Sequence, residues 1–197
     1  MSSISIQKIN ITKLNADAVV NAANEGLWQG GGVCGAIFSA AGPEELTKAC
    51  RAIGGCKTGE AVITPGFALS AGHIIHAVGP VWRGGADNEP QLLYGAYKNS
   101  LLVAMDHGCH SIGFPLISAG IFGYPIAQAW SMAVQACRDF IADTPDYEMD
   151  IIFAVLDDGI LKLGQKTLEE LPPIHTESNV RFVKGKDVPE RGGSCSL

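Results

Sequence analysis

Apolar residues along the chain alternate between two textures. Short strand-like runs stand at 3–9, 18–22, 61–64, 73–78, 111–115 and 150–156, most of them continuously apolar. Runs of this length predict strands covered on both faces. Between them, stretches at 33–41, 43–53, 91–107, 125–142 and 158–171 carry apolar residues at helical spacing. Pro43, Pro90 and Pro125 stand at or just before three of these stretches, where a residue without a backbone N–H fits the first turn. Alternating strand and helix patterns predict an α/β protein with helices layered on a sheet. The pattern contains no internal repeat and no low-complexity segment.

At Pro172 the texture changes to Pro-Pro, then polar residues, Lys184-Gly185-Lys186 and a Gly-Gly-Ser ending. The reading is therefore one domain over residues 1–171 and a C-terminal tail over 172–197, with 179–183 as a candidate edge strand. A chain of 197 residues with 47% hydrophobic and 17% charged residues has the composition of a single folded domain. Its net charge of −6 argues against broad nucleic-acid binding, which needs a concentrated basic face. No basic segment followed by an apolar core opens the chain, and no uncharged apolar run approaches membrane-spanning length. These features predict a soluble, cytoplasmic protein without a membrane partner. The six cysteines (34, 50, 56, 109, 137 and 195) include no Cys-x-x-Cys pair, which favours reduced thiols over a disulfide framework or structural zinc. His107, Cys109 and His110 cluster in sequence; a helix end running into a turn accounts for them, with a metal site as the alternative.

Two loops carry the candidate chemistry, each between a predicted strand and a predicted helix. The first spans 21–35 and contains Gly30-Gly31-Gly32-Val33-Cys34-Gly35; the second reads Pro115-Leu116-Ile117-Ser118-Ala119-Gly120-Ile121-Phe122-Gly123-Tyr124-Pro125. In open α/β sheets ligands bind outside the carboxyl ends of the strands, at such loops. Small residues let backbone N–H groups approach a phosphate, and a helix start adds a positive dipole end. Phe122 can pack flat against a sugar or base. Either loop alone reads equally well as a turn; the pair predicts a phosphate-bearing ligand. The dinucleotide fingerprint fails for want of an acidic ribose partner downstream, and Gly55-Cys56-Lys57-Thr58 lacks the spacing of a P-loop.

Ile9-Asn10-Ile11-Thr12, residues 17–24 and 30–35, Ile75-His76-Ala77-Val78-Gly79-Pro80 and residues 118–124 together resemble the macrodomain, the ADP-ribose-binding α/β/α module. The resemblance covers roughly residues 3–171. Val78-Gly79-Pro80-Val81-Trp82-Arg83-Gly84-Gly85 is similar to the bacterial branch that includes ADP-ribosyl hydrolases. The resemblance implies a three-layer α/β/α sandwich with a mixed, mostly parallel central sheet. It implies a diphosphate held between Gly31, Gly32 and Val33 on one side and Ser118, Ala119, Gly120, Ile121 and Phe122 on the other. Asn24 would sit at the distal ribose and help orient the reacting end, with Asn21 a structural residue. Leu156 and Asp157 would lie at the adenine end, Leu156 giving apolar contact without aromatic stacking.

At the adenine-recognition position the family usually carries aspartate followed by isoleucine, where this chain has Asn10-Ile11. The Asn10 oxygen can accept from the adenine amino group without the charge that strengthens such a bond; the alternative is Asn10 as a cap for the turn at 11–13. After Gly-Gly-Gly-Val the hydrolase-like branch commonly carries aspartate, with histidine four residues later. Here Cys34 and Phe38 occupy those positions, so general-base catalysis by those groups is lost. Cys34 stands as a candidate catalytic residue with three open roles: nucleophile, water-positioning or substrate-contacting residue, or small packing residue. His76 reads as a hydrogen-bonded structural histidine, and His107 and His110 as exposed. The expected function is binding of ADP-ribose or an ADP-ribosylated substrate with hydrolysis at the distal ribose. That covers removal of ADP-ribose from protein, deacetylation of O-acetyl-ADP-ribose and hydrolysis of the 1″-phosphate. The alternative is a non-catalytic reader of ADP-ribose. No metal or cofactor is implied.

Overall fold

The structure, a computed structural model, describes residues 1–171. The tail at 172–197, with its candidate strand at 179–183 and Cys195, lies outside the described residues. Six strands, β1 (Ser3–Lys8), β2 (Ala18–Ala23), β3 (Ala61–Pro65), β4 (His73–Val78), β5 (Ser111–Phe114) and β6 (Asp150–Val155), form one sheet in the order β1-β6-β5-β2-β4-β3. Every pair is parallel except β3 on β4. This is the expected mixed, mostly parallel sheet, and each strand lies within a residue or two of its apolar run.

Alternation along the strands builds a core on each face. Val20, Ile75, Phe114 and Phe153 point into one cluster, whereas Val19, Ile74, Val78 and Ala154 point into the other. Helices α1 (Gly32–Ala41) and α2 (Pro43–Ile53) cover the second cluster with Ile37, Phe38 and Leu46. Helices α3 (Glu89–Asp106), α4 (Ile126–Asp143) and α5 (Asp158–Glu170) cover the first, with Tyr97, Leu101, Trp130 and Phe140 fully buried. Each such side chain contributes about 1.5–3 kcal/mol by leaving water, so the two faces together hold the three layers as one unit. Trp130 also donates its indole N–H to the Ile160 carbonyl at 3.0 Å, tying α4 to α5.

Helix α3 begins two residues earlier than its apolar pattern, with Pro90 inside the first turn. The cause is Glu89, whose buried carboxylate accepts the N–H groups of Arg83, Gly85 and Asp87 (2.8, 3.1 and 2.6 Å) and gathers the preceding loop onto the helix start. Among the described residues, the five cysteines are free thiols and no helix is long and apolar enough to cross a membrane.

Candidate functional site

Because β1, β6, β5, β2 and β4 are parallel, their carboxyl ends share one edge of the sheet. The loops after β2 and β5 emerge there side by side and enclose a cavity of about 330 Å³. Its walls include Asn24, Gly31, Gly32, Val33 and Cys34 from the first loop. Ser118, Gly120, Ile121 and Phe122 face them from the second. Two loops 80 or more residues apart in sequence are thus one site. Ala119 belongs to the same loop without lining the cavity; it packs instead against the α3/α4 core.

Each wall presents unpaired backbone donors. Gly31 caps α1 without a side-chain hydrogen bond, and the N–H groups of Gly32, Val33 and Cys34 find no acceptor among the described residues. The opposite loop is pinned at its ends, Ile117 N–H to the Tyr97 hydroxyl (2.8 Å) and Tyr124 N–H to the Ser118 carbonyl (2.9 Å). Between those pins the N–H groups of Ser118, Gly120, Ile121 and Phe122 find no acceptor among the described residues. Two arrays of unpartnered N–H groups in the walls of one cavity, one of them at a helix start, have the chemistry to accept an anion. Ser118 adopts φ +65°, unusual for a residue with a side chain, and its hydroxyl is buried without a partner. Both features cost stability, a pattern concentrated at functional sites. Gly79 backs this loop so closely that a Cβ there would lie 2.2 Å from Ser118 Oγ and 2.5 Å from Ile117 Cγ2. Ile121, 82% exposed, reaches over the cleft toward Gly31.

The Asn24 amide clasps its own loop. Its Nδ2 donates to the Trp28 carbonyl (2.9 Å) and its Oδ1 accepts the Trp28 N–H (3.1 Å). One N–H and one lone pair of that amide remain for a ligand. The Cys34 thiol lies inside the same turn: Gly30 N–H donates to Sγ at 3.4 Å, and the thiol donates to the Trp28 carbonyl at 3.8 Å. Among the described residues that line the cavity there is no imidazole and no carboxylate. Both contacts of the thiol lie within its own loop.

Behind the first loop, Asn21 is structural as expected, although it bonds a side chain rather than backbone. Its Nδ2 donates to His76 Nδ1 (3.1 Å), leaving His76 Nε2 to donate to Thr64 Oγ1 (3.0 Å). The Thr64 hydroxyl passes on to the Pro65 carbonyl (3.2 Å). Burial of His76 disfavours the charged ring and holds its pKa down to about 4.

Asn10 and Ile11, after β1, and Leu156 and Asp157, after β6, stand at the same sheet edge but do not line the cavity. Asn10 caps the short turn at Ile11–Lys13: its Oδ1 accepts both the Thr12 N–H (3.0 Å) and the Thr12 hydroxyl (2.8 Å). Both lone pairs of that oxygen are therefore occupied, and what Asn10 offers outward is its N–H₂ group rather than the expected acceptor. Ile11 is buried in the α1/α2 core. Asp157 caps α5 by accepting the Ile160 N–H at 2.9 Å, and Leu156 is exposed. His107 and His110 are exposed, each with Nδ1 on a backbone carbonyl at 2.8 Å. Among the described residues no three His, Cys, Asp or Glu side chains converge as metal ligands.

Sequence reasoning missed a second lobe. Beyond Asn24, Gly79 and Phe122 the cleft opens into a further space of about 510 Å³, bordered by Glu25, Trp28, Val81, Arg83, Asp87 and Glu89 among others. Burial pushes the Glu89 carboxyl up, but four backbone N–H donors outweigh it and leave it below the usual carboxylate range. The Trp82-Arg83-Gly84-Gly85 run was legible as a motif; nothing in the string announces that Glu89 folds it against the cleft.

Comparison with known proteins adds an independent line. The family model described as Macro domain matches residues 20–133. A macro domain-containing protein of Chlorobaculum tepidum is 51% identical over 161 residues, covering 82% of this chain and 92% of the relative. An O-acetyl-ADP-ribose deacetylase of Salmonella typhimurium is 53% identical over 144 residues, covering 71% and 80%. Among solved structures, the macrodomain of Oceanobacillus iheyensis with ADP superposes with a TM-score of 0.78 at 37% identity, covering 83% of this chain and 88% of that one. A variant of that macrodomain with ADPR superposes with a TM-score of 0.77 at 34% identity, covering 85% and 92%.

Proposed function

This chain belongs to the Macro domain family, and from that membership we propose that it binds ADP-ribose, free or attached to another molecule, and hydrolyses the bond at the distal ribose. The observation that carries the binding reading is the pair of unpartnered N–H arrays beside one cavity, Gly32 to Cys34 on one wall and Ser118 with Gly120, Ile121 and Phe122 on the other. A diphosphate has acceptor oxygens on both sides and suits both arrays at once. The adenosine end then runs toward Asn10 and Leu156 along the sheet edge, and the distal ribose toward Asn24. The macrodomains solved with ADP and with ADPR support this reading.

The reaction needs a water oxygen to bond to the acyl or anomeric carbon, the ester or glycosidic bond to break, and a proton to end on the departing group. The free N–H and lone pair of Asn24 orient the ribose hydroxyls, and Phe122 stacks on the sugar. Cys34 keeps the turn in shape through Gly30 and Trp28. The relatives named O-acetyl-ADP-ribose deacetylase support hydrolysis. One observation favours the second reading, a reader without turnover: among the described residues, no carboxylate or imidazole lines the first lobe, where Cys34 stands. A substrate panel separates the two. ADP-ribosylated protein, O-acetyl-ADP-ribose and ADP-ribose 1″-phosphate are each incubated with the wild type and with Cys34→Asp, following release of ADP-ribose. Release by the wild type supports the hydrolase; release by the variant alone makes the natural chain a reader.

A further inference from the structure

The second lobe lies where the group attached to the distal ribose must leave the cleft, and its chemistry differs sharply from that of the first. The first lobe combines backbone donors with apolar side chains such as Ile117, Ile121 and Phe122 and holds no charged side chain among the described residues. The second is bordered by Trp28, by the acidic residues Glu25, Asp87 and Glu89, and by one basic residue, Arg83, among the described residues. Trp28 is 64% exposed yet firmly held. Asn24 grips its backbone on both sides, and its ring lies flat on Gly26, where a Cβ would fall 1.6 Å from Cζ3. An exposed aromatic face with its position fixed is preorganised for contact, because little motion is lost on binding.

The segments that carry the charges around that face are also tied down. Glu25 Oε1 accepts the Thr58 hydroxyl (2.8 Å) and N–H (3.2 Å), which holds its carboxyl below the usual range. Asp87 and Arg83 ride on the loop that Glu89 gathers onto α3. Three carboxylates against one guanidinium leave the lobe negative. This balance disfavours an anionic group there and favours placement of the diphosphate between the N–H arrays. A cationic side chain is attracted, by the carboxylates and by the face of the indole. The space, about 510 Å³, also far exceeds what an acetyl group fills.

We propose that the lobe bordered by Trp28, Glu25 and Asp87 is a docking site for a lysine- or arginine-containing peptide segment beside the ADP-ribosyl linkage, so that the preferred substrate is an ADP-ribosylated basic region of a protein. This rests on the ADP-ribose reading above and deepens it. Occupation by Lys or Arg pairs the cation with Glu25 and Asp87 while the aliphatic stem covers Trp28 and Val81.

The test is calorimetry with three probes: free ADP-ribose, and two peptides joined to the distal ribose by a non-hydrolysable link, one flanked by lysines and one by glutamates. The expected result is that the lysine-flanked peptide binds about tenfold tighter than the glutamate-flanked one, with free ADP-ribose between them. The preference shrinks in high salt for the wild type itself, a readout that needs no variant. In Glu25→Gln/Asp87→Asn the two peptides converge while free ADP-ribose binds as before, and Asp87→Lys favours the glutamate-flanked peptide. Equal binding of the two peptides by a wild type that binds free ADP-ribose normally overturns this proposal alone. Failure to bind free ADP-ribose overturns the reading beneath it, and this proposal with it.

Discussion

Asn21 on β2 and His76 on β4 are register partners, and the Asn21 amide donates to His76 Nδ1 at 3.1 Å beneath the loop that forms the first wall of the cleft. This contact requires a neutral imidazole. With a folded-state pKa of about 4 against 6.5 for a free ring, the unfolded chain takes up a proton before the folded one does. The stability that His76 contributes is present above pH 6.5 and is lost as pH falls toward 4, at about 1.4 kcal/mol per unit and roughly 3 kcal/mol in all. Urea unfolding of wild type and His76→Gln across this window isolates the term: the variant lacks that part of the slope. Parallel slopes would show that His76 is not held neutral.

Gly79→Ala would drive a methyl group into Ser118 Oγ and Ile117 Cγ2. The second loop must shift, at a cost of about 1–3 kcal/mol. Because the shift moves the donors of the second wall, ADP-ribose affinity falls about tenfold or more. Calorimetry and thermal unfolding read the two effects together; loss of stability with unchanged affinity would remove Gly79 from the site's support.

Asn24→Ala removes both bonds that clasp Trp28. The expected effect on hydrolysis is a fall of about a hundredfold in kcat/KM, because positioning of the ribose is lost together with the shape of the turn. ADP binding falls far less, since ADP has no distal ribose. An equal loss for ADP and ADP-ribose would make the effect purely structural.

Cys34→Ala leaves the backbone donors of α1 in place and removes two weak sulfur contacts. It is expected to cost about 1 kcal/mol of stability and to change ADP-ribose affinity by less than about threefold. Turnover that survives in this variant excludes a thiol nucleophile; turnover abolished with binding intact would restore one.

The sheet and helices were legible in the sequence because strands buried on both faces leave continuous apolar runs, whereas helices leave a longer period. The strand at 73–78 and the helix at 43–53 fall on their patterns to the residue. The two glycine loops were equally legible, because small residues between a strand and a helix are chemically distinctive. What escaped the sequence depends on through-space partners. Thr12 occupies the Asn10 oxygen, Trp28 engages the Asn24 amide, and Glu89 gathers residues 83–87. A string names each of these side chains without saying which lone pair or N–H is already taken. The second lobe escaped for the same reason, its walls coming from separate stretches between Asn24 and Phe122 that meet only in the fold.

Titration of the folded protein with ADP-ribose by calorimetry tests the central claim most directly. Facing N–H arrays that hold the diphosphate predict one-site, saturable binding, with ADP weaker and adenosine, which lacks phosphate, weaker still. Absence of binding heat with ADP-ribose, or adenosine binding as tightly as ADP-ribose, would contradict the account.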